Sequence, residues 1–532
     1  MKKMLTLFAA LLLALSMLPM TGLAEEPEVF TLFASTEAIE GPWKDMYTFK
    51  KIEEMFGVQL DITEISNTVW QEKVSVAFAT DEYPDFFLNG LTDNDIQTYG
   101  SQGILLDLKD YITEENTPNL YALYQSYPIM QKACMSYDGH QYVIKGYDRT
   151  NTREYLKARF FVNTQWIRNL GLEEPTTLDE LYEVLKAFKE GDPNGNGDTT
   201  DEIPMLGAYS NDPYSLLTVP LTAYGYTLAY GNNNTYVDVD KDGKVFFVPT
   251  AEHFPDALAW MKKLYDEELL DPEYFTQTAD QVNAKQSEMR GGCFMDWAQW
   301  LDIADPEKYN EYDGIEPLTT DVNTEKLWPA TDFQGVGLFC VTDKCQNVEK
   351  LLKIADWAVS FDGYCTLLGG EEVGKMPGLE DQGYTIEHFD ESYGENALTL
   401  NYTRPDSYES DTAWREAVIS AGWGTLPVCR IDFTFVESSV TEQALSSALN
   451  DNYTPYMKVG WPDSVKFTDE EWNSISLLVA DIQSYLDQMV AKFITGEESL
   501  DNFDAFVQGL NDRGLAQYLE IYQTAYDRYL AG

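Results

Sequence analysis

Apolar positions along the chain fall into three kinds of run, and each predicts a different element. Residues 4–20 are almost continuously apolar, follow Lys2 and Lys3, and lead into Thr21, Gly22, Leu23 and Ala24. A short basic start, an apolar stretch and small residues before a cut after Ala24 predict a secretory signal peptide over 1–24. A membrane span needs about 20 apolar residues, and no later stretch offers them. Beyond the leader the runs shorten. Residues 29–33, 58–62 and 85–88 have the length and apolar content of strands, while 49–55 and 70–78 carry the spacing of amphipathic helices. Strands alternating with helices at this interval predict βαβ units and a parallel sheet.

The third kind of run has a helical period and clear ends. Thr177 and Glu180 have capping-box spacing, Leu178, Leu181, Leu185 and Phe188 form one stripe, and Gly191 closes it. A second such helix begins near Phe254, with Leu258, Met261 and Tyr265 inward, and is followed by a break at Pro272. In the last third, Trp472, Ile475, Leu478, Ile482, Tyr485 and Met489 keep the period over about five turns. These stripes are read as core. Strand-like runs at 236–237 and 245–247 flank Asp238, Asp240, Asp242 and Gly243, which predicts a hairpin turn rather than a cation site.

Composition adds class and compartment. Removing the leader leaves 532 − 24 = 508 residues, enough for two to four units at about 150 residues each. Lys and Arg number 36 against 89 Asp and Glu, a net −53, and −55 once Lys2 and Lys3 are removed. Such a surface repels nucleic-acid backbones and anionic membranes, so neither is an expected partner. Six cysteines permit 15 pairings and show no metal spacing, so mostly buried free thiols are expected. None lies at the cleavage site, which argues against an N-terminal lipid anchor. Only three histidines occur, in unrelated contexts, and no nucleophile, zinc or phosphate-loop motif is present. The chain is therefore not read as an enzyme.

Two places carry candidate chemistry. Oxygen-bearing side chains alternate at Asp192, Asn194, Asn196 and Asp198, Gly197 permits a sharp turn, and Asp201 and Glu202 follow. This alternation suits Ca²⁺, which takes six to eight oxygens. An EF-hand's twelfth position is here Ile203, so Asp201 or Glu202 must close the site, in a structural role. The second place is the strand-like 291–295, followed by Asp296, Trp297 and Trp300. Aromatic faces stack on the C–H faces of sugars while carboxylates bond their hydroxyls, and ligands of α/β sheets sit beyond strand ends.

These segments together resemble the large extracellular solute-binding proteins of carbohydrate-uptake ABC transporters, of the kind called lipoprotein LplA-like. The resemblance rests on Tyr83-Pro84-Asp85-Phe86-Phe87, on Leu105 to Leu108, on the block 161–204, on 264–277 and on 492–529, in that order. It implies a type II periplasmic-binding fold, two α/β lobes around a cleft. One lobe is expected from 29–150 plus 315–375, the other from 151–314 plus 376–532. It further implies a saccharide ligand, a permease partner, a monomer, and a cleft lined by Ser35, Trp43, Asn89, Asp296, Trp297, Trp300, Glu371 and Glu372. The Asp192 loop is similar to a calcium site of relatives, with one extra residue before Asp201. Hinge closure on the ligand is the implied mechanism. A secreted carbohydrate-active enzyme and a glycan-binding surface module are the competing readings.

Overall fold

The computed structural model describes residues 27–36, 42–148, 155–156, 158–209, 215–227, 236–299, 303, 305–333, 335, 337–360, 362–364, 367, 384–388, 398–402, 425–427, 429–430 and 452–531. In chain order the elements that shape the site begin with β1 (Glu28–Thr36), α1 (Tyr47–Phe56), β2 (Val58–Ser66), α2 (Trp70–Thr80), β3 (Phe86–Leu88), α3 (Asp93–Ser101) and β4 (Ile144–Lys145). Next come β5 (Arg159–Asn163), α4 (Leu178–Glu190), β6 (Ile203–Met205), α5 (Phe254–Asp266), β7 (Gly291–Asp296), β8 (Tyr312–Gly314) and β9 (Trp328–Pro329). The last are β10 (Leu338–Val341), α6 (Val348–Ala358), β11 (Met457–Lys458), α7 (Asp469–Thr495), α8 (Phe503–Asp512) and α9 (Leu515–Ala531).

Two sheets organise them. The first has the order β2-β1-β3-β10-β4; β1 runs parallel to β2 and β3, and β10 runs antiparallel to β3 and β4. The second has the order β8-β5-β7-β6, with β7 parallel to β6 but antiparallel to β5. Both sheets are therefore mixed rather than purely parallel. Strand period decides burial in the first sheet. Phe86 and Leu88 enter one apolar cluster with Leu32 and Val341, while Phe87 points to the other face with Trp70 and Phe78.

The expected helix signals operate. The Thr177 side chain accepts from the Glu180 N–H, and Glu180 returns to the cap, so orphan amides of α4 are satisfied at both positions. Its stripe is buried at Leu178, Leu181, Leu185 and Phe188. In α7, Ile475, Ile482 and Met489 are buried, and the helix packs along α5 and α9. The run around Asp240 forms the expected hairpin, with Val239 opposite Val245. Of the described cysteines, Cys134, Cys293, Cys340 and Cys345 are buried free thiols and Cys429 is buried; Cys365 lies outside the described residues.

Lobe membership departs from the sequence expectation at two points. Ile315, Leu318 and Trp328 are buried with the second cluster, so 315–331 does not belong with the first lobe; the chain rejoins that lobe at Phe333. The cause is β8, which pairs with β5 and keeps the next stretch of chain on the second sheet's side. Leu426 and Cys429, expected in the second lobe, are buried in the first. The second core can be tested at Phe188, which is fully buried and meets the Trp166 ring edge-on at 5.3 Å. Phe188→Ala should cost about 3–5 kcal/mol, read as a lowered urea midpoint with an unchanged slope.

Candidate functional site

Among the described residues the two cores are joined at three places along the chain. Tyr155 packs on the first cluster and Leu156 is buried in the second. The return runs beside this exit: the Trp328 indole donates to the Ala158 carbonyl at 2.9 Å, and the Thr331 N–H donates to the Tyr155 carbonyl at 3.0 Å. β9 also pairs with β11, and the Ala330 N–H donates to the Lys458 carbonyl at 3.0 Å. The third crossing lies between Cys429, in the first core, and Tyr453, whose hydroxyl donates to the Phe160 carbonyl in the second at 2.7 Å.

On the first lobe, the carboxyl ends of β1 and β3 and the start of β10 share one edge. Asn89, just past β3, has a left-handed φ of 59°, unusual for a side-chain-bearing residue. Its N–H donates to the Leu338 carbonyl and its Oδ1 accepts from the Leu338 N–H at 2.9 Å, so the turn is clipped to β10. Gly90 follows at φ +76°, and a Cβ there would stand 2.4 Å from the Trp70 ring and 2.6 Å from Ser35 Cβ. Ser35 and Asn89 are therefore brought together at one edge. Trp43 does not join them. It is fully buried and stacked on Phe49 at 5.1 Å, because its large apolar ring completes the core beneath α1.

On the second lobe, register sets Asp296, the last residue of β7, opposite Arg159, the first of β5. Arg159 is fully buried, donates to the Trp297 carbonyl, and lies 5.2 Å from the Trp297 ring centre. A guanidinium over an indole face gains cation–π stabilisation that offsets part of its desolvation. Asp296 in turn accepts from the Trp297 N–H at 2.5 Å. Arg159 thus holds Asp296 and Trp297 as one polar and aromatic unit, which no local signal in the sequence announces. Trp300, Glu371 and Glu372 lie outside the described residues.

Between the lobes lies a cavity of about 590 Å³, lined by Asn89, Asp93 and Lys145 on one side and by Trp461, Lys466 and Trp472 on the other. Asp296 and Trp297 do not line it. Asp93 accepts from Lys145 at 2.8 Å and from Lys466. Burial pushes the Asp93 carboxyl up, but the two ammonium groups outweigh it and hold it below the usual carboxylate range. Burial also pulls Lys466 below the ordinary lysine value, against the opposing pull of Asp93. Indole faces, amides and paired charges in one concave space suit a polar ligand with apolar faces.

The Asp192 loop is a separate feature. Its oxygens are turned onto loop amides: Asp192 accepts from the Asn196 and Gly197 N–H groups at 3.0 and 2.9 Å, and Asn196 Oδ1 accepts from the Asp198 N–H at 2.6 Å. Among the described residues no group of three or more His, Cys, Asp or Glu side chains converges as a metal cluster. Asp201 Oδ1 and both Glu202 carboxylate oxygens are nevertheless buried without a hydrogen-bond partner. Burial, then the charges of Asp201 and Asp192, push Glu202 up to about 7. Unpaired buried carboxylate oxygens beside further acids are a donor set that fits a hard cation.

Comparison with known proteins agrees with this architecture. The family profile described as bacterial extracellular solute-binding protein matches residues 48–367. The fructooligosaccharide ABC transporter substrate-binding protein FusA of Streptococcus pneumoniae is 26% identical over 494 residues, covering 91% of this chain and 87% of that protein. Its structure in complex with kestose covers 95% of this chain and 100% of that one, at a TM-score of 0.76 and 23% identity. A second structure, of an EF-hand mutant of that protein with fructo-nystose, superposes at 0.75 with the same identity and coverage. An HMO-binding solute-binding protein from Bifidobacterium longum infantis covers 94% and 99%, at a TM-score of 0.78 and 21% identity. The fold is that of these two-lobed binding proteins.

The strand-end turn gives a direct test. Gly90→Ala forces a left-handed backbone and a clash with Trp70 and Ser35, so it should cost about 2 kcal/mol or more, measured as a fall in Tm.

Proposed function

This chain belongs to the bacterial extracellular solute-binding proteins, and we propose that it captures a mono- or oligosaccharide between its lobes and delivers it to the permease of an ABC importer. The observation that carries the reading is the interlobe cavity, to which one lobe contributes Asn89 and the other Trp461 and Trp472. Ser35, Asn89, Asp296 and Trp297 contribute from the two sheet edges in this proposal, with Trp300, Glu371 and Glu372 as further contacts. A ligand that touches both lobes binds the closed arrangement better than the open one and shifts the population by that difference. No bond is made or broken. The protein acts as a monomer, exported by a signal peptide cleaved after Ala24; among the described residues no helix is long and apolar enough to cross a membrane.

The relatives' ligands set the panel. Thermal stability of the mature protein should rise with one class among kestose, longer fructooligosaccharides and HMO-type oligosaccharides, by about 2.7 kcal/mol at 100 times its Kd. The saccharide should be recovered intact. Trp297→Ala should weaken binding of the active class by about 1–3 kcal/mol, measured by titration calorimetry. A flat panel across all classes refutes the saccharide assignment, and hydrolysis products would make the chain an enzyme.

We further propose that Asp192, Asn194, Asn196, Asp198, Asp201 and Glu202 hold a structural Ca²⁺. Glu202 and Asp201 supply the closing carboxylates, as their unpartnered buried oxygens suggest. Calcium should raise Tm and a chelator reverse it. Glu202→Gln should do two opposite things: stabilise the chelated protein, by removing a buried charge, and abolish the calcium response. A variant that keeps the full response excludes Glu202 as a ligand.

A further inference from the structure

Among the described residues, polar side chains join the lobes beside the cavity. Asp93, at the start of α3, belongs to the first lobe, as does Lys145 of β4. Lys466 belongs to the second lobe, on the segment entering α7. Asp93 accepts from Lys145 through one oxygen and from Lys466 through the other. The Lys145 and Lys466 side chains are 18% and 19% exposed, so the pairs are only partly reached by water. Lys466 is also held from behind. Arg528 donates to the Lys466 carbonyl at 2.7 Å and is itself bound to both oxygens of Glu471, at 2.9 and 2.6 Å. The ammonium is therefore presented to Asp93 by a pre-set frame.

Two weaker contacts share the interface. Lys132 of the first lobe donates to the Tyr529 carbonyl at 2.9 Å and sits 3.7 Å from the centre of that ring. Ser101, at the end of α3, donates to Asp469, at the start of α7, at 3.3 Å. The cavity separates the lobes here, and Gln97 Nε2 and Asp469 Oδ1 on its wall are buried without partners.

We propose that the Lys145–Asp93–Lys466 bridge is an interlobe latch that sets the balance between lobe arrangements, and so tunes ligand affinity through lobe position. Lys145 keeps Asp93 charged within its own lobe whatever the second lobe does. Lys466 is the arm that is made or lost as the lobes move. A contact present in one arrangement only adds its whole free energy to the population ratio. The consequence for affinity rests on the binding function proposed above; the effect on lobe position does not.

The test reads lobe position in the free protein. Spin labels at Glu54→Cys, on α1, and Ala505→Cys, on α8, in a Cys365→Ser background, report the interlobe distance by pulsed electron resonance. Lys466→Met removes only the interlobe arm. It should change the ratio of distance populations by about threefold, the effect of a partly exposed pair. Raising salt should move the wild type the same way and the variant little. Lys344→Met, which breaks an exposed pair with Asp81 inside the first lobe, should move nothing. Asp93→Asn should exceed Lys466→Met, since it leaves two ammonium groups facing each other. A Lys466→Met distribution that matches the wild type, with the circular dichroism spectrum unchanged, overturns the latch. The distances are read in the free protein and decide the latch alone, whether or not kestose binds.

Discussion

The fully buried indole of Trp328, donating to Ala158, ties the outgoing and returning chain together at the point where one domain would otherwise become two independent ones. The bond is shielded from water, so its loss would strand a buried donor. Around it, Thr331 bonded to Tyr155, and β9 to β11, make a narrow ribbon between the lobes. The two large apolar cores lie on either side of this ribbon. Asn89 and Asp296, at strand ends of the two sheets, are positioned by the same sheets that the ribbon joins.

That arrangement explains why polar devices recur at the sheet edges. An edge that faces a cleft cannot be sealed by apolar packing, since it must be wet when the lobes part. The edges are instead stiffened from within. Asn89 is locked by a reciprocal pair of bonds to Leu338, Gly90 lets Trp70 and Ser35 close up behind it, and Arg159 braces Trp297. Each keeps a side chain in place without covering it, which is what a preorganised binding surface requires.

Much of the scaffold is legible in the sequence because it is local. The capping box at Thr177, the stripe through Phe188, the strand at 86–88 and the hairpin at Gly243 are each set by neighbours a few residues apart. The features that escape are set by distant pairing. Trp43 has the same residue type and loop context as a ligand-stacking tryptophan, and only its packing on Phe49 makes it core. Residues 315–331 fall on the second lobe because β8 pairs with β5, some 150 residues earlier in the chain. Asp93 and Lys466 stand 373 positions apart. The Asp192 loop lies between these cases: its oxygen spacing is readable, whereas the unpartnered oxygens of Glu202 emerge only when burial is known.

Net charge gives the interlobe lysines their weight. A chain with 89 acids against 36 bases carries negative potential over most of its surface, so bringing two such lobes together is opposed at every step. Screening at physiological salt, over about 8 Å, relieves distant repulsion but not that between facing groups. The scarce cations have most effect where the two surfaces meet. Lys466 beside Asp93, Lys132 over Tyr529, and Arg528 behind Lys466 stand in that place. Acidity keeps the lobes soluble and apart, and a small set of bases across the gap determines how far apart.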